Sequence, residues 1–318
     1  MSQRQAENGV RWSRLITLPI RWLDSWSELD KPVNATCDAN DHRIEYLRVL
    51  PFLIIHPACL AVYWVGYSSV AIGIALMLYV IRMFAITAFY HRFLSHKAFK
   101  TSRFMQLFFS MIAVSSGQKG PLWWASYHRL HHQHSDQPED IHSPQQQGFW
   151  WSHIGWLMAH GNDRSRLNMV KDLRRYPELV LLDRFHIFIP VLLATGLYLG
   201  GEWLNVYNPQ LQTSGWQLVI WGFCISTVLL FHATACINSL AHRYGTQTYD
   251  TGDNSRNNVW LAMFTLGEGW HNNHHYCPNS ARQGFQWYQL DLTWYGLKVM
   301  AWMGLIWDLK PVRNDINV

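Results

Sequence analysis

The chain has 318 residues, 49% hydrophobic and 15% aromatic with 18 tryptophans, which excludes a disordered polymer and supplies apolar matter for one sizeable unit. Its net charge of +5 does not ask for a nucleic acid, because anionic lipid headgroups can balance it. Five cysteines, an odd number without a Cys-x-x-Cys pair, argue against both a disulfide framework and a cysteine-bound zinc.

From the N-terminus, residues 1–46 lack an early apolar core followed by a small-residue cleavage site, so no removable leader is expected. Trp12, Leu15, Ile16, Trp22, Leu23 and Trp26 are interleaved there with Arg11, Arg14 and Arg21, which suits a helix lying on a membrane surface or capping the fold. Apolar runs over 47–67 and 70–88 are each about 20 residues, roughly what a helix needs to cross 30 Å of hydrocarbon, and predict a first hairpin within 47–90. His56, Pro51 and Pro57 in the first run and Arg82 in the second keep a buried soluble helix pair open as the alternative. Residues 91–184 are polar apart from 104–116, a run too short to cross and expected at the interface, and 135–148 reads as a loop rich in Gln, Pro, Asp and His. Runs over 185–204 and 216–237 predict a second hairpin within 185–237, followed by a polar segment over 238–318. The mean hydropathy of -0.09 averages these runs with a charged remainder.

Charge placement orients the layout. Of the 26 Lys and Arg residues, seven occur up to Arg48, twelve at 92–184 and six after residue 237, with Arg82 alone inside the second run. The short outer connections 68–69 and 205–215 have none. Both termini and the polar segments should therefore face the cytoplasm. The predicted class is all-α: an integral, multi-pass membrane protein with four transmembrane helices in two hairpins and a cytoplasmic helical cap.

Histidine carries the chemical signal. Its 17 copies cluster where the predicted spans meet the cytoplasm, as His91-Arg-Phe-Leu-Ser-His96, His128-Arg-Leu-His131-His132 and His271-Asn-Asn-His274-His275. Positions i, i+3 and i+4 share a helix face, so each His-x-x-His-His is expected to converge its three imidazoles on one volume. Eight imidazoles exceed one metal, because a structural zinc takes about four ligands and a catalytic zinc about three from protein, and two metals are implied. Imidazole softness admits iron, zinc, copper or nickel. A di-metal site at a membrane face, within reach of lipid chains, points to dioxygen activation.

These words resemble the membrane fatty acyl desaturase family, in its delta-9 acyl-CoA (stearoyl-CoA desaturase-like) branch. The family order of HxxxxH, HxxHH and HxxHH is met, and Gly267-Glu-Gly-Trp-His-Asn-Asn-His-His275, Asp140-Ile-His-Ser-Pro144 and Trp151-Ser-His-Ile-Gly-Trp156 match surrounding words, over about residues 45–300. The resemblance implies a ninth imidazole and an amide acting through water, both supplied here by Asn238-Ser-Leu-Ala-His242. It thereby implies two iron ions held by His91, His96, His128, His131, His132, His242, His271, His274 and His275, with Asn238 through water. Asp136, Asp140 and Glu268 are candidates to accept ring N–H bonds, and His134, His142 and His153 to orient ligating rings. His42, His56, His160, His186 and His232 read as structural.

The implied reaction uses O2 and two electrons to remove hydrogen from adjacent carbons of a long-chain acyl thioester, leaving a cis double bond, at delta-9 by analogy. Tyr79 and Met83 are candidates for the closed end of the acyl tunnel, with Thr87 nearer the metals. Gln118 and Trp124 match family positions near the carrier end, and Lys119 adds a cation. Animal acyl-CoA members carry an Arg-Asp pair directly before the second box, where this chain has Ser126-Tyr127, so acyl-lipid or acyl-carrier-protein substrates stay open. Gly120-Pro-Leu-Trp-Trp124 resembles bacterial members and suggests a bacterial cytoplasmic membrane. Neither a haem module nor a nucleotide-binding glycine fingerprint is present, so an external donor is expected, a ferredoxin or b-type cytochrome with its reductase, on the basic cap near Arg174, Arg175 or Lys298. A membrane fatty acid hydroxylase or alkane monooxygenase is the neighbouring reading. A zinc-dependent membrane hydrolase and a metal-binding scaffold are remoter ones.

Overall fold

A computed structural model of the chain describes residues 22–26, 42–44, 46–47 and 49–313. Most of the expected interfacial segment, with Trp12, Leu15 and Ile16, lies outside the described residues. Among the described residues the frame is built by α1 (Leu50–Val65), α2 (Ser69–Ser95), α3 (Arg103–Val114), α4 (Pro121–His134), α5 (Pro177–Arg184), α6 (Phe188–Tyr207), α7 (Gly215–Ser239), α8 (Val259–Phe264), α9 (His271–Tyr276) and α10 (Leu292–Trp302), with shorter turns between them. A two-stranded antiparallel ribbon, β1 (Lys100–Thr101) with β2 (Ile306–Trp307), ties the end of α10 back to the segment after α2.

Local sequence explains the hairpin boundaries. Helix α1 begins at a proline, whose missing N–H falls where a helix has no acceptor for it, and Pro57 disturbs its middle, which tightens at Cys59–Ala61. Gly66, at φ +67°, ends it in a conformation that side chains avoid. Ser68 then caps α2 by accepting the Ala71 N–H at 3.1 Å. The two hairpins are joined at their outer turns: Thr213 Oγ1 donates to Ser68 Oγ at 2.9 Å, Gln217 Nε2 to the Val65 carbonyl at 2.9 Å, and Trp221 Nε1 to the Gly66 carbonyl at 2.9 Å. Helices α6 and α7 touch through Gly201, where a Cβ would stand 2.6 Å from Gly215 Cα, a small-residue contact of the kind that lets helices approach in lipid.

Length corrects the expected span count. Among the described residues, two helices are long and apolar enough to cross a membrane, α2 with 27 residues and α7 with 25. Helices α5 and α6 meet that standard only as a pair, bent by 72°, which would make three. Helix α1 rises only about 24 Å at about 1.5 Å per residue, short of a hydrocarbon core of about 30 Å, because both ends of the 47–67 run fall outside it. The run at 104–116 forms α3 and, as expected, is too short to cross.

Arg82, the cation inside α2, is fully buried and hydrogen-bonds neutral groups: the Leu78 carbonyl at 3.1 Å, Ser115 carbonyl at 3.3 Å, Thr227 Oγ1 at 2.7 Å, Ser226 Oγ at 2.6 Å and Gly222 carbonyl at 3.5 Å. It thereby clamps α2 to α7, as an intramembrane charge must be held by polar partners. Both helices also depart from α-winding. Ala85–Ser95 of α2 and Val219–Ile225 of α7 are π-helical, with wider turns. Asp183 at the end of α5 secures α4. Its Oδ1 accepts the Leu122 and Trp123 N–H groups at 2.8 Å each, while Oδ2 accepts Trp26 Nε1 at 2.9 Å and Ser165 Oγ at 2.6 Å. The largest core cluster lies between these elements, joining Met83, Ile86 and Tyr90 of α2 to Val114, Leu122 and Leu179.

Candidate metal centre

The π-winding of α2 gives the first histidine pair its geometry. On an α-helix of 3.6 residues per turn, five residues rotate a side chain by about 140°, away from its predecessor. Here the His96 N–H reaches back five residues to the His91 carbonyl at 3.2 Å, and the two ring centroids are 4.9 Å apart. Helices α4 and α9 present the other two motifs from the opposite side, and His242 follows the end of α7.

The nine imidazoles form two groups. His91, His96, His128, His132 and His274 make one; His131, His242, His271 and His275 make the other, and within each group the ligand atoms lie within 4.8 Å of one another. The expectation that each His-x-x-His-His converges on one volume is corrected by this division. In both motifs i and i+4 go to one group and i+3 goes to the other: His128 and His132 part from His131, and His271 and His275 part from His274. The reason is rotational, since about 100° per residue puts i+3 and i+4 on opposite sides of i.

Carboxylates fix the rings. His131 Nδ1 pairs with Asp140 Oδ2 at 2.9 Å, His242 Nδ1 with Asp136 Oδ2 at 2.9 Å, His275 Nδ1 with Asp253 Oδ2 at 2.5 Å, and His91 Nδ1 with Glu268. An Nδ1–H donated to a carboxylate leaves Nε2 as a bare acceptor pointing inward. Those inward atoms crowd: His242 and His271 Nε2 are 3.0 Å apart, His91 and His274 3.0 Å, His132 and His274 2.9 Å, and His96 and His128 2.7 Å. Two nitrogens bound at right angles to one metal at about 2.1 Å would stand about 3.0 Å apart. His275 Nε2 is buried without any partner, although its ring is anchored through Nδ1, which leaves that atom available to a metal among the neighbouring imidazoles. The residues therefore fit a di-metal site.

Electrostatics agree. Burial first, and neighbouring imidazoles second, push His128, His132, His271 and His274 well below the ordinary histidine range. His275 is pushed by burial to about 4 despite Asp253. These rings are neutral at physiological pH, as metal ligation requires. Burial opposes ionisation of Asp136, but its bond to His242 outweighs this and holds it at about 2. Asp140 and Asp253 are held below the usual carboxylate range in the same way, by His131 and His275 against burial.

A cavity of about 80 Å³ opens beside His128, with Gln118, Trp124, Trp156, Thr234 and Asn238 in its wall. Gln118 Nε2 donates to Thr234 Oγ1 across it at 2.8 Å. Asn238 sits at the cavity. Other expected substrate residues lie elsewhere. Lys119 pairs with Asp163 at 2.5 Å, Tyr79 donates to the Phe264 carbonyl at 2.7 Å, Thr87 meets Thr293 at 2.8 Å, and Met83 is buried in the core cluster. His142 stands against Asp140, and His153 joins Ser239 Oγ at 2.8 Å to His232 at 2.9 Å; both line the cavity. Sequence reasoning missed Asp253, Arg92, Asp291 and Gln283. Only Asp253 left a signal, as an acid among Thr251, Gly252, Asn254 and Ser255 ahead of the third motif.

The family model for fatty acid desaturases matches residues 67–303, from the outer turn before α2 to the end of α10, and so covers all nine imidazoles. The chain belongs to the fatty acid desaturase family. Among the relatives of this desaturase, an sn-1 stearoyl-lipid 9-desaturase of Anabaena variabilis is 37% identical over 84% of the chain and 94% of its own length. Delta-9 acyl-lipid desaturase 1 of Arabidopsis thaliana is 34% identical over 89% of each chain. An acyl-CoA C20 Delta5-desaturase of Anemone leveillei is 37% identical over 74% of this chain and 72% of its own. The desaturase is thus an oxidoreductase with apolar helices suited to a membrane and a histidine cluster that fits two metals.

Proposed function

We propose that this chain introduces a cis double bond at delta-9 into a long-chain acyl group, using O2 and two electrons from an external donor, with two iron ions held by the nine imidazoles and by Asn238 through water. The observation that carries the reading is the division of nine buried or half-buried imidazoles into two groups in a chain of this family. When bound, the irons supply the activation of dioxygen that breaking unactivated methylene C–H bonds demands. The protein's own part is placement. His128 forms one wall of the cavity, so an acyl chain lying past Gln118 and Trp124 brings its carbons beside the metal position, and the aromatic walls exclude water. Tyr79, Met83 and Thr87 would close the far end of a longer tunnel along α2.

A lipid-linked acyl chain is favoured over the thioester that the branch resemblance implies. Ser126 and Tyr127, in the place of the Arg-Asp pair of animal acyl-CoA members, are buried and turned inward, Ser126 Oγ onto the Trp123 carbonyl at 2.8 Å and Tyr127 onto the Arg164 carbonyl at 3.1 Å. Neither offers charge to a nucleotide carrier, and two of the relatives above are named for lipid-linked substrates. Orientation follows the basic residues: the crossing helices lie in the cytoplasmic membrane of a bacterium, with both termini and the metal centre on the cytoplasmic side. The donor is a ferredoxin or b-type cytochrome docked on that side.

Expression of the chain and of its His131→Ala variant in a host without desaturases, followed by gas chromatography and mass spectrometry of fatty acids, tests this. A new cis-delta-9 acid that vanishes in the variant is expected, appearing first in intact glycerolipid. A hydroxy acid would move the assignment to a hydroxylase, and first appearance in acyl-CoA would restore the thioester.

A further inference from the structure

The two imidazole groups differ in what stands behind them. Three of the four rings in one group donate Nδ1–H to an aspartate: His131 to Asp140, His242 to Asp136 and His275 to Asp253. Neutral donors hold those aspartates in turn. Asp136 accepts Ser143 Oγ at 2.6 Å and the Asn254 N–H at 2.8 Å; Asp253 accepts Thr251 and Ser255 hydroxyls at 2.6 Å each; Asp140 accepts the Asp136 and His142 N–H groups at 3.0 and 3.2 Å. In the five-imidazole group a carboxylate backs His91, and it is shared: Glu268 Oε1 takes the Arg92 guanidinium at 3.0 Å, which Asp291 also grips at 2.9 Å. The gap behind His274 is filled by the neutral Gln283 amide at 3.3 Å. Arg129 and Lys97, the next cations on that side, both pair with Asp172.

A carboxylate behind an imidazole strengthens its donation to a metal, and anions that no cation offsets favour the higher charge on a buried ion. We propose that the metal pair is electronically unequal. Asp136, Asp140 and Asp253 hold the ion of the four-imidazole group in the higher oxidation state, and the first electron enters at the five-imidazole group. That step takes one electron from an external one-electron carrier, reduces one ferric ion to ferrous, makes and breaks no bond, and leaves the other ion ferric. The surface favours the same order, because an open hollow of about 470 Å³, lined by His96, Lys97, Arg129, His132 and Asn279, reaches two rings of the five-imidazole group from solvent. The inference rests on the di-iron reading above.

Its test is Mössbauer spectroscopy of the full-length protein loaded with iron-57, with iron counted by mass spectrometry, before and after one electron equivalent of dithionite per chain. The expected result is two irons and, after reduction, one ferric doublet kept and one replaced by a ferrous doublet. Asp136→Asn and Asp253→Asn should each alter the ferric doublet that is kept, and Glu268→Gln the ferrous one. Fewer than two irons per chain would overturn the di-iron reading and the inference with it. Two irons giving an averaged spectrum, or aspartate variants that alter only the ferrous doublet, would overturn the inference alone. The wild-type spectrum decides the first point even where a variant fails to fold.

Discussion

Asp253 concentrates the residue-scale argument. It anchors His275, which alone among the nine clustered imidazoles has an Nε2 buried without a partner, so its loss frees the ring most needed in place. Asp253→Asn should weaken metal retention by about 10- to 100-fold while leaving helix content unchanged; competition against a graded series of chelators, read alongside circular dichroism, measures this. Acid acts on the same buried rings. His142 and His275 are pushed by burial to about 3 and about 4, below the 6.5 of an ordinary histidine. The unfolded chain therefore binds more protons than the folded one between those values, and stability that is whole above pH 6.5 should be lost as pH falls toward about 4. Urea midpoints of the metal-free protein at stepped pH would show it, and a flat profile would refute it. At this scale the clustering of the nine histidines is legible, because their intervals bring them round to shared helix faces. Asp253 and Arg92 are not, since a lone acid or base gives no sign of its partner until the chain has folded.

Among the elements, α4 carries three of the nine grouped imidazoles on a helix whose first turn rests on one carboxylate. Asp183→Ala would unpair the Leu122 and Trp123 N–H groups, Trp26 Nε1 and Ser165 Oγ together. A loss of about 2 kcal/mol is expected, more than an exposed cap gives, because buried donors are left bare. Denaturant unfolding of the variant measures it, and a change under about 0.5 kcal/mol would show the cap to be dispensable. Hydropathy located α7 at both ends and α2 at its start, since long apolar runs have one outcome in lipid, but it stopped short of the polar end of α2 that carries His91. It could not foresee the 72° bend between α5 and α6 or the tightening at Pro57, which turn on local backbone rather than average polarity. The π-winding was equally hidden: the five-residue interval between His91 and His96 suits it, but interval alone does not distinguish a wide turn from two unrelated positions.

For the molecule as a whole, the hairpins and the metal centre make separate contributions to stability. Gly201→Leu would force α6 from Gly215 and loosen the second hairpin without touching a histidine. Thermal unfolding of that variant should fall by several degrees with its metal content unchanged, whereas stripping metal from the wild type should lower the midpoint with the hairpins intact. What the alternation along α4 and α9 adds is thermodynamic linkage. Each of those helices feeds both metal positions, so ordering them around one ion prepares the place of the second, and the cost of that ordering falls once. Partly supplied molecules should then sort into empty and doubly filled populations, with the singly filled form scarcer than chance would leave it. Native mass spectrometry at half the saturating metal would count the three species.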